Sequence, residues 1–115
     1  MAIDEHLADR MRQFFAEKKV TPEEKKMMGG LGFMVDDKLC IGIYKGGLMA
    51  RTDPEEEATL SNKLGAEPMI HGGRPMKGYI MVAPEGFDSD DDLEFWIRKC
   101  LEFNPKAKSS KKKKK

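Results

Sequence analysis

A chain of 115 residues is long enough for one hydrophobic core and too short for two. Seven of its 21 basic residues are lysines between residues 105 and 115, so the rest of the chain carries 14 basic against 20 acidic residues, a net charge of −6. The two cysteines have no metal-binding spacing, no apolar run reaches the ~18 residues of a membrane span, and the acidic N-terminus does not resemble a signal peptide. We therefore expect a cytoplasmic protein with one domain over residues 1–104 and a disordered, lysine-rich tail over residues 105–115.

The first half of the chain predicts one amphipathic helix and then an antiparallel meander. Apolar residues at helical spacing indicate the helix: Ile3, Leu7, Met11, Phe14 and Phe15. Thr21 followed by Pro22 has the form of a second helix start. From residue 31 onward we predict three short strands, with turns at residues 36–38 and 45–47. Alternation along the middle strand would place Leu39, Ile41 and Ile43 on one face.

The second half predicts two helices on either side of a strand. Asp53 and Pro54 open a helix that ends at Gly65, with Leu64 among its apolar positions. Residues 66–75 have no regular pattern, residues 77–83 form a strand, and the Asp-Ser-Asp-Asp-Asp segment at 88–92 caps a last helix that ends at Asn104. The order α-β-β-β-α-β(β)-α lacks βαβ alternation. We therefore expect a two-layer α+β fold, an antiparallel sheet of 4–5 strands with the helices packed on one face.

Two glycine-rich stretches, residues 27–35 and 72–76, form part of five segments that carry a resemblance to a known family. These segments are residues 26–30, 32–35, 48–51, 74–76 and 93–103. In this order and spacing they resemble the N-terminal domain of the TfoX/Sxy competence regulators, over roughly residues 5–103. The resemblance implies a stand-alone TfoX N-terminal-like protein with a fold similar to that of secretion chaperones. It also implies regulation, since full-length members control natural transformation together with the cyclic-AMP receptor protein, and it provides no catalytic residues.

The best candidate for a functional site is the loop formed by His71, Gly72, Gly73, Arg74, Pro75 and Met76. Its glycines allow a partner to approach the backbone, and the guanidinium of Arg74 offers a planar fork of donors to a protein or an anionic ligand. The alternative is that Arg74 pairs with a carboxylate of its own chain and stiffens the loop. The glycines at 29, 30 and 32 do not have a nucleotide-binding spacing, and close backbone packing accounts for them.

We expect no catalytic, metal or cofactor site. His6 and His71 are the only histidines and do not make a metal-ligand pattern. The acids at residues 88–92 lack the calcium-loop pattern, and helix capping accounts for them. Cys40 and Cys100 are expected in the core, and no serine lies in a nucleophile elbow. The chain therefore does not have the sequence of a recognisable enzyme.

The lysine run predicts weak, salt-sensitive, sequence-independent contact with anions such as nucleic-acid phosphates, or simply solvation of an acidic domain. Its residues are Lys111, Lys112, Lys113, Lys114 and Lys115. The leading interpretation is a non-catalytic regulatory domain that acts by protein–protein contact, in transcriptional regulation, through a sheet edge and residues 71–76. Two alternatives stay open: a nucleic-acid-associated protein that uses the basic tail, and a small enzyme acting on RNA. We expect a protein partner, and a homodimer stays open as well.

Overall fold

The computed structural model describes residues 5–27, 30–44, 46–71 and 73–106. The lysine run and Gly72 lie outside these described residues. The helices and strands are, in chain order, α1 (Glu5–Glu17), β1 (Glu23–Met27), β2 (Gly30–Val35), β3 (Lys38–Tyr44), β4 (Gly47–Arg51), α2 (Glu57–Leu60), β5 (Ala66–His71), β6 (Arg74–Val82) and α3 (Asp90–Phe103). Single 3-10 turns precede α2 and α3 and follow α3 (Pro54–Glu56, Pro84–Gly86 and Asn104–Lys106).

The six strands form one antiparallel sheet in the order β1-β2-β3-β4-β6-β5. The predicted α+β class is confirmed, with six strands in place of the expected 4–5. Both unpredicted strands lie at the edges of the sheet. An edge strand is paired on one side only, and these two carry charged residues or proline in place of apolar alternation. The periodic signal that marks a strand is therefore weak in both.

The predicted helix start at Thr21 is wrong, because strand β1 begins two residues later. Residues 23–26 are all charged and all exposed, and they pair with β2 in continuous register from Glu23↔Met34 to Met27↔Gly30. The pairing partner, not the local sequence, determines this strand. Residues 66–75, predicted to be irregular, likewise belong mostly to the β5–β6 hairpin.

The prediction that Leu39, Ile41 and Ile43 share one face of strand β3 is wrong for Leu39, because the strand has a β-bulge at Cys40. Phe33 pairs with Ile41, but the next residue, Met34, pairs with Leu39, so Cys40 is an extra residue in the ladder. Cys40 therefore shares the core with Ile41, while Leu39 packs on the opposite side of the sheet. The predicted turn before β3 is confirmed: Asp36 and Asp37 have φ values of 56° and 65°, as in a two-residue hairpin of type I′.

The main core lies between one face of the sheet and the helices. The amphipathic helix α1 buries four residues there, and Phe15 stacks on Phe33 of β2 with ring centroids 5.5 Å apart. Helix α3 contributes Trp96, whose Nε1 donates a hydrogen bond to the Gly86 carbonyl at 3.2 Å. Helix α2 is short and ends at Leu60, so Leu64, predicted as an apolar helix position, is instead 70% exposed. No helix in the described ranges is long and apolar enough to cross a membrane.

Candidate functional site

The predicted functional loop is the tip of the β5–β6 hairpin. His71 at the end of β5 pairs with Arg74 at the start of β6, so only two residues separate the paired strands. Gly73 has a φ of +79°, a left-handed conformation that glycine adopts without strain. Arg74 is exposed, and no carboxylate in the described part of the chain pairs with it. The hairpin thus presents a guanidinium to solvent from a paired strand.

Met76 connects this hairpin to a second apolar cluster, on the sheet face opposite the helices. The members of this methionine cluster are Tyr44, Met49 and Met69, which are buried, and Leu39, Met76, Tyr79 and Met81, which are half-buried. All of them come from strands β3–β6, whereas the buried helix residues of the described chain belong to the main core. The guanidinium carbon of Arg51 lies 5.6 Å from the centre of the Tyr79 ring.

The sequence did not reveal this cluster, although a signal for it exists. Ile80 and Val82 of β6 belong to the main core, so the residue between them, Met81, must point to the other face. The same alternation assigns Met49, which lies between Leu48 and Ala50 of β4. Alternation within a strand therefore shows which face each methionine lies on. It does not show that the methionines of β4, β5 and β6 are neighbours, which depends on the order of the strands in the sheet.

A small polar pocket of about 110 Å³ lies at the end of α3, lined by Thr52, Asp53, Glu56, Lys99, Glu102, Phe103 and Lys106. Lys99 Nζ lies 2.8 Å from a carboxylate oxygen of Glu56 and 3.6 Å from one of Glu102. The hydrogen bond to Glu56 is the main reason that the pKa of Lys99 is raised. A lysine held protonated in this way cannot act as a general base near neutral pH. The pocket is a set of paired charges that fastens α3 to the turn before α2.

A larger groove of about 660 Å³ lies beside α2, lined by Pro54, Glu57, Ala58, Ser61, Pro68 and Lys77. Its one carboxylate, that of Glu57, accepts a hydrogen bond from the Gly78 backbone N–H at 2.9 Å. The hydroxyl oxygen of Ser61 is buried without a hydrogen-bond partner among the described residues. The groove is mostly apolar and holds no nucleophile with an adjacent base, and neither it nor the pocket at α3 includes Arg74 or Tyr44.

The comparison with known families supplies the identity that the geometry alone does not. The sequence model of the TfoX N-terminal domain matches residues 14–104, from within α1 to the residue that follows α3. The chain belongs to the TfoX N-terminal domain family. The resemblance carried by the glycine-rich stretches is therefore confirmed, since all five of its segments lie inside the match. A search of curated proteins found no match.

The two cysteines of this TfoX N-terminal domain are core residues, as the sequence predicts. Cys40 and Cys100 are both free and buried. Burial raises the pKa of Cys40 to about 12. Burial also raises the pKa of Cys100, and the neighbouring Cys40 thiol adds to that shift. Both thiols are therefore protonated near neutral pH and are poor nucleophiles and poor metal ligands. The described residues contain no group of three or more His, Cys, Asp or Glu side chains that could hold a metal ion.

Proposed function

We propose that this TfoX N-terminal domain is a non-catalytic regulatory domain that acts by protein–protein contact in transcriptional regulation in the bacterial cytoplasm. The observation that carries the proposal is the exposed Arg74 at the tip of a short hairpin, next to the methionine cluster. Arginine, tyrosine and methionine are enriched at the centres of protein interfaces. The proposed contact surface is Arg74 together with Met76 of the same strand.

The physical chemistry of this surface suits a protein partner. Arg74 can bind a carboxylate through two parallel hydrogen bonds, which is a directional contact that a lysine does not provide. Met76 is half-buried, flexible and polarisable, so it can adjust to the shape of an apolar partner side chain. The paired strands below them reduce the conformational entropy that binding must remove.

The nucleic-acid alternative depends on the lysine run, which lies outside the described residues. The chain before that run is acidic, with a net charge of −6 over residues 1–104, and an acidic body repels phosphate. The alternative of a small RNA-acting enzyme requires a pocket with activated ionisable groups, whereas the thiols have raised pKa values and Lys99 is held in ion pairs. Protein contact is therefore the function that the surface supports best.

The test is binding to the purified cyclic-AMP receptor protein, the partner that the family resemblance implies, measured by biolayer interferometry with cyclic AMP present. We expect Arg74→Ala to weaken binding by about tenfold or more, as for an arginine at an interface centre. Arg98→Ala is the matched control, because Arg98 is an exposed arginine on α3, in the helix layer. If the two variants bind equally well, Arg74 is not a contact; if the unmodified chain does not bind, this partner is wrong.

A further inference from the structure

One row of residues crosses the whole sheet on the face opposite the helices. Its members are neighbours in the strand register, each paired with the next across the sheet: Lys25, Gly32, Gly42, Met49, Met81 and Glu67. One residue comes from each of the six strands. The row therefore has a lysine at one edge of the sheet, a glutamate at the other, and only glycine and methionine between them.

The contacts of neighbouring residues fix the side on which the row lies. Glu24, next to Lys25, faces the helices, because its carboxylate binds Arg12 of α1 at 2.6 and 2.8 Å. At the other edge Ala66, next to Glu67, packs against the main core, while Met69, two residues further, is in the methionine cluster. Because side chains alternate along a strand, Lys25 and Glu67 both point away from the helices.

The two charged ends of the row are exposed, and neither has an ion pair with another described residue. The centre of the row is flat, because Gly32 and Gly42 carry no side chain and Met49 is buried. A Cβ atom at Gly42 would lie 3.4 Å from Cε of Met49, so the Met49 side chain lies across the glycine instead of projecting from the sheet. Met81 beside it is half-buried. A flat, uncharged centre between opposite charges is complementary to its own reversed copy.

We propose that a second copy of this chain packs on this face, with the two sheets related by a two-fold axis parallel to the strands. The rotation reverses the row, so Lys25 of one copy meets the partner's Glu67, and the same pair forms again at the other end. Packed sheets lie ~10 Å apart, a gap that a lysine and a glutamate side chain can bridge together. The contact is isologous, as in most homodimers, and it closes at two copies.

The next row of residues on the same face is compatible with this arrangement. It carries Glu23, Met34, Leu39, Arg51 and Tyr79, on the side of the sheet nearer the β2–β3 turn. Only two of these are charged, and they have opposite signs, so reversal places no like charges opposite one another. The half-buried Leu39 and Tyr79 would lose their remaining exposure to water.

The size of the face is that of a weak dimer. Six strands at ~4.8 Å spacing span ~24 Å, and strands of five residues rise ~17 Å, so each copy offers a face of ~400 Å² in outline. The combined area of two such faces is at or below the smallest total area that specific interfaces bury, ~1,200 Å². We therefore expect a dimer that dissociates on dilution, with a dissociation constant in the micromolar range.

The test is sedimentation velocity on the full chain from about 2 to about 500 µM, with circular dichroism to check the fold of each variant. We expect Lys25→Glu and Glu67→Lys each to raise the dissociation constant by about tenfold or more, because each places like charges at both ends of the interface. The double variant K25E/E67K restores opposite charges and should return to within about threefold of the original chain. Lys26→Glu is the matched control, since Lys26 pairs with Leu31 and so lies on the helix side of the same exposed strand.

Three results would overturn the proposal. The first is that the original chain is monomeric over the whole concentration range. The second is that the double variant dimerises no better than the single variants, and the third is that Lys26→Glu weakens the dimer as much as Lys25→Glu. In the last case net charge, not the pairing across the two-fold axis, would account for the effect. Raising the salt concentration should weaken the original dimer, because its pairs lie at exposed edges.

Discussion

Gly78 is the position where one added methyl group should report most directly on how α2 is held to the sheet. Its φ is +86°, and its N–H donates to a Glu57 carboxylate oxygen at 2.9 Å. Its carbonyl accepts hydrogen bonds from the Thr52 N–H at 2.7 Å and the Thr52 hydroxyl at 3.1 Å. A Cβ atom here would lie 3.0 Å from the Thr52 carbonyl oxygen and 3.1 Å from Cγ of Pro54. Gly78→Ala therefore places an alanine in the left-handed conformation and brings its methyl group too close to Thr52 and Pro54.

The magnitude follows from these two terms. An L-residue in the left-handed conformation costs about 1–2 kcal/mol. Overpacking typically costs about 1–3 kcal/mol, and here one neighbour is the backbone oxygen of Thr52, a residue already held to Gly78 by two hydrogen bonds. We expect Gly78→Ala to lower the free energy of unfolding by about 2–4 kcal/mol. Gly73→Ala is the control, because Gly73 has a φ of +79° and an added Cβ atom would have no neighbour within 4 Å, so only the backbone term applies.

The assay is urea unfolding followed by far-ultraviolet circular dichroism, with the slope of the transition compared between variants. Gly46→Ala is a second control, since Gly46 has a φ of +80° and equally open surroundings. Gly78→Ala should be less stable than both controls by about 1–3 kcal/mol. If the free energies of unfolding of Gly78→Ala and Gly73→Ala agree within about 0.5 kcal/mol, the turn before α2 moves aside without cost, and the steric argument for Gly78 is refuted.

Two further predictions concern ionisable groups. The hydrogen bond from Arg12 lowers the pKa of Glu24 from 4.5, so the folded state binds fewer protons at this carboxyl than the unfolded state does; the stabilisation is present above 4.5 and is lost as the pH falls. The urea midpoint should therefore drop more for the original chain than for Glu24→Gln between about pH 5 and pH 3, and equal drops would contradict the role of this pair. Cys40 and Cys100 should resist iodoacetamide in the native state and react in urea, as judged by mass spectrometry; fast native labelling would contradict their burial.

The features that the sequence predicted correctly depend on local interactions. The Asp53 carboxylate accepts a hydrogen bond from the Glu55 N–H at 2.9 Å, and the Ser89 hydroxyl accepts one from the Asp92 N–H at 3.1 Å. Both are helix caps that span two or three residues, so the residue types alone indicate them. The stripe of apolar residues on α1 is equally local, and Leu7, Met11 and Phe15 of the predicted stripe are buried, while Ile3 lies outside the described residues.

The features that the sequence missed depend on the pairing partner. Nothing within β3 marks Cys40 as the extra residue; the bulge exists only relative to Met34 and its neighbours on β2. For the candidate site, the glycines and Arg74 mark the hairpin tip, but its connection to the methionine cluster requires β5 and β6 to pair beside β4. The row from Lys25 to Glu67 is non-local to the same degree, since the register of all six strands defines it.

The composition of the two edge strands bears on where a partner can meet this domain. A partner strand that extends a sheet needs a free row of backbone donors and acceptors. Strand β1 presents charged residues at 23–26, and strand β5 contains Pro68, which has no N–H to donate. Charges and proline are the devices by which edge strands avoid pairing with other chains. Strand addition, which the sequence suggested as one mode of contact, is therefore disfavoured at both edges, and a partner has better access to the hairpin tip at Arg74 and to the sheet face that the helices leave uncovered.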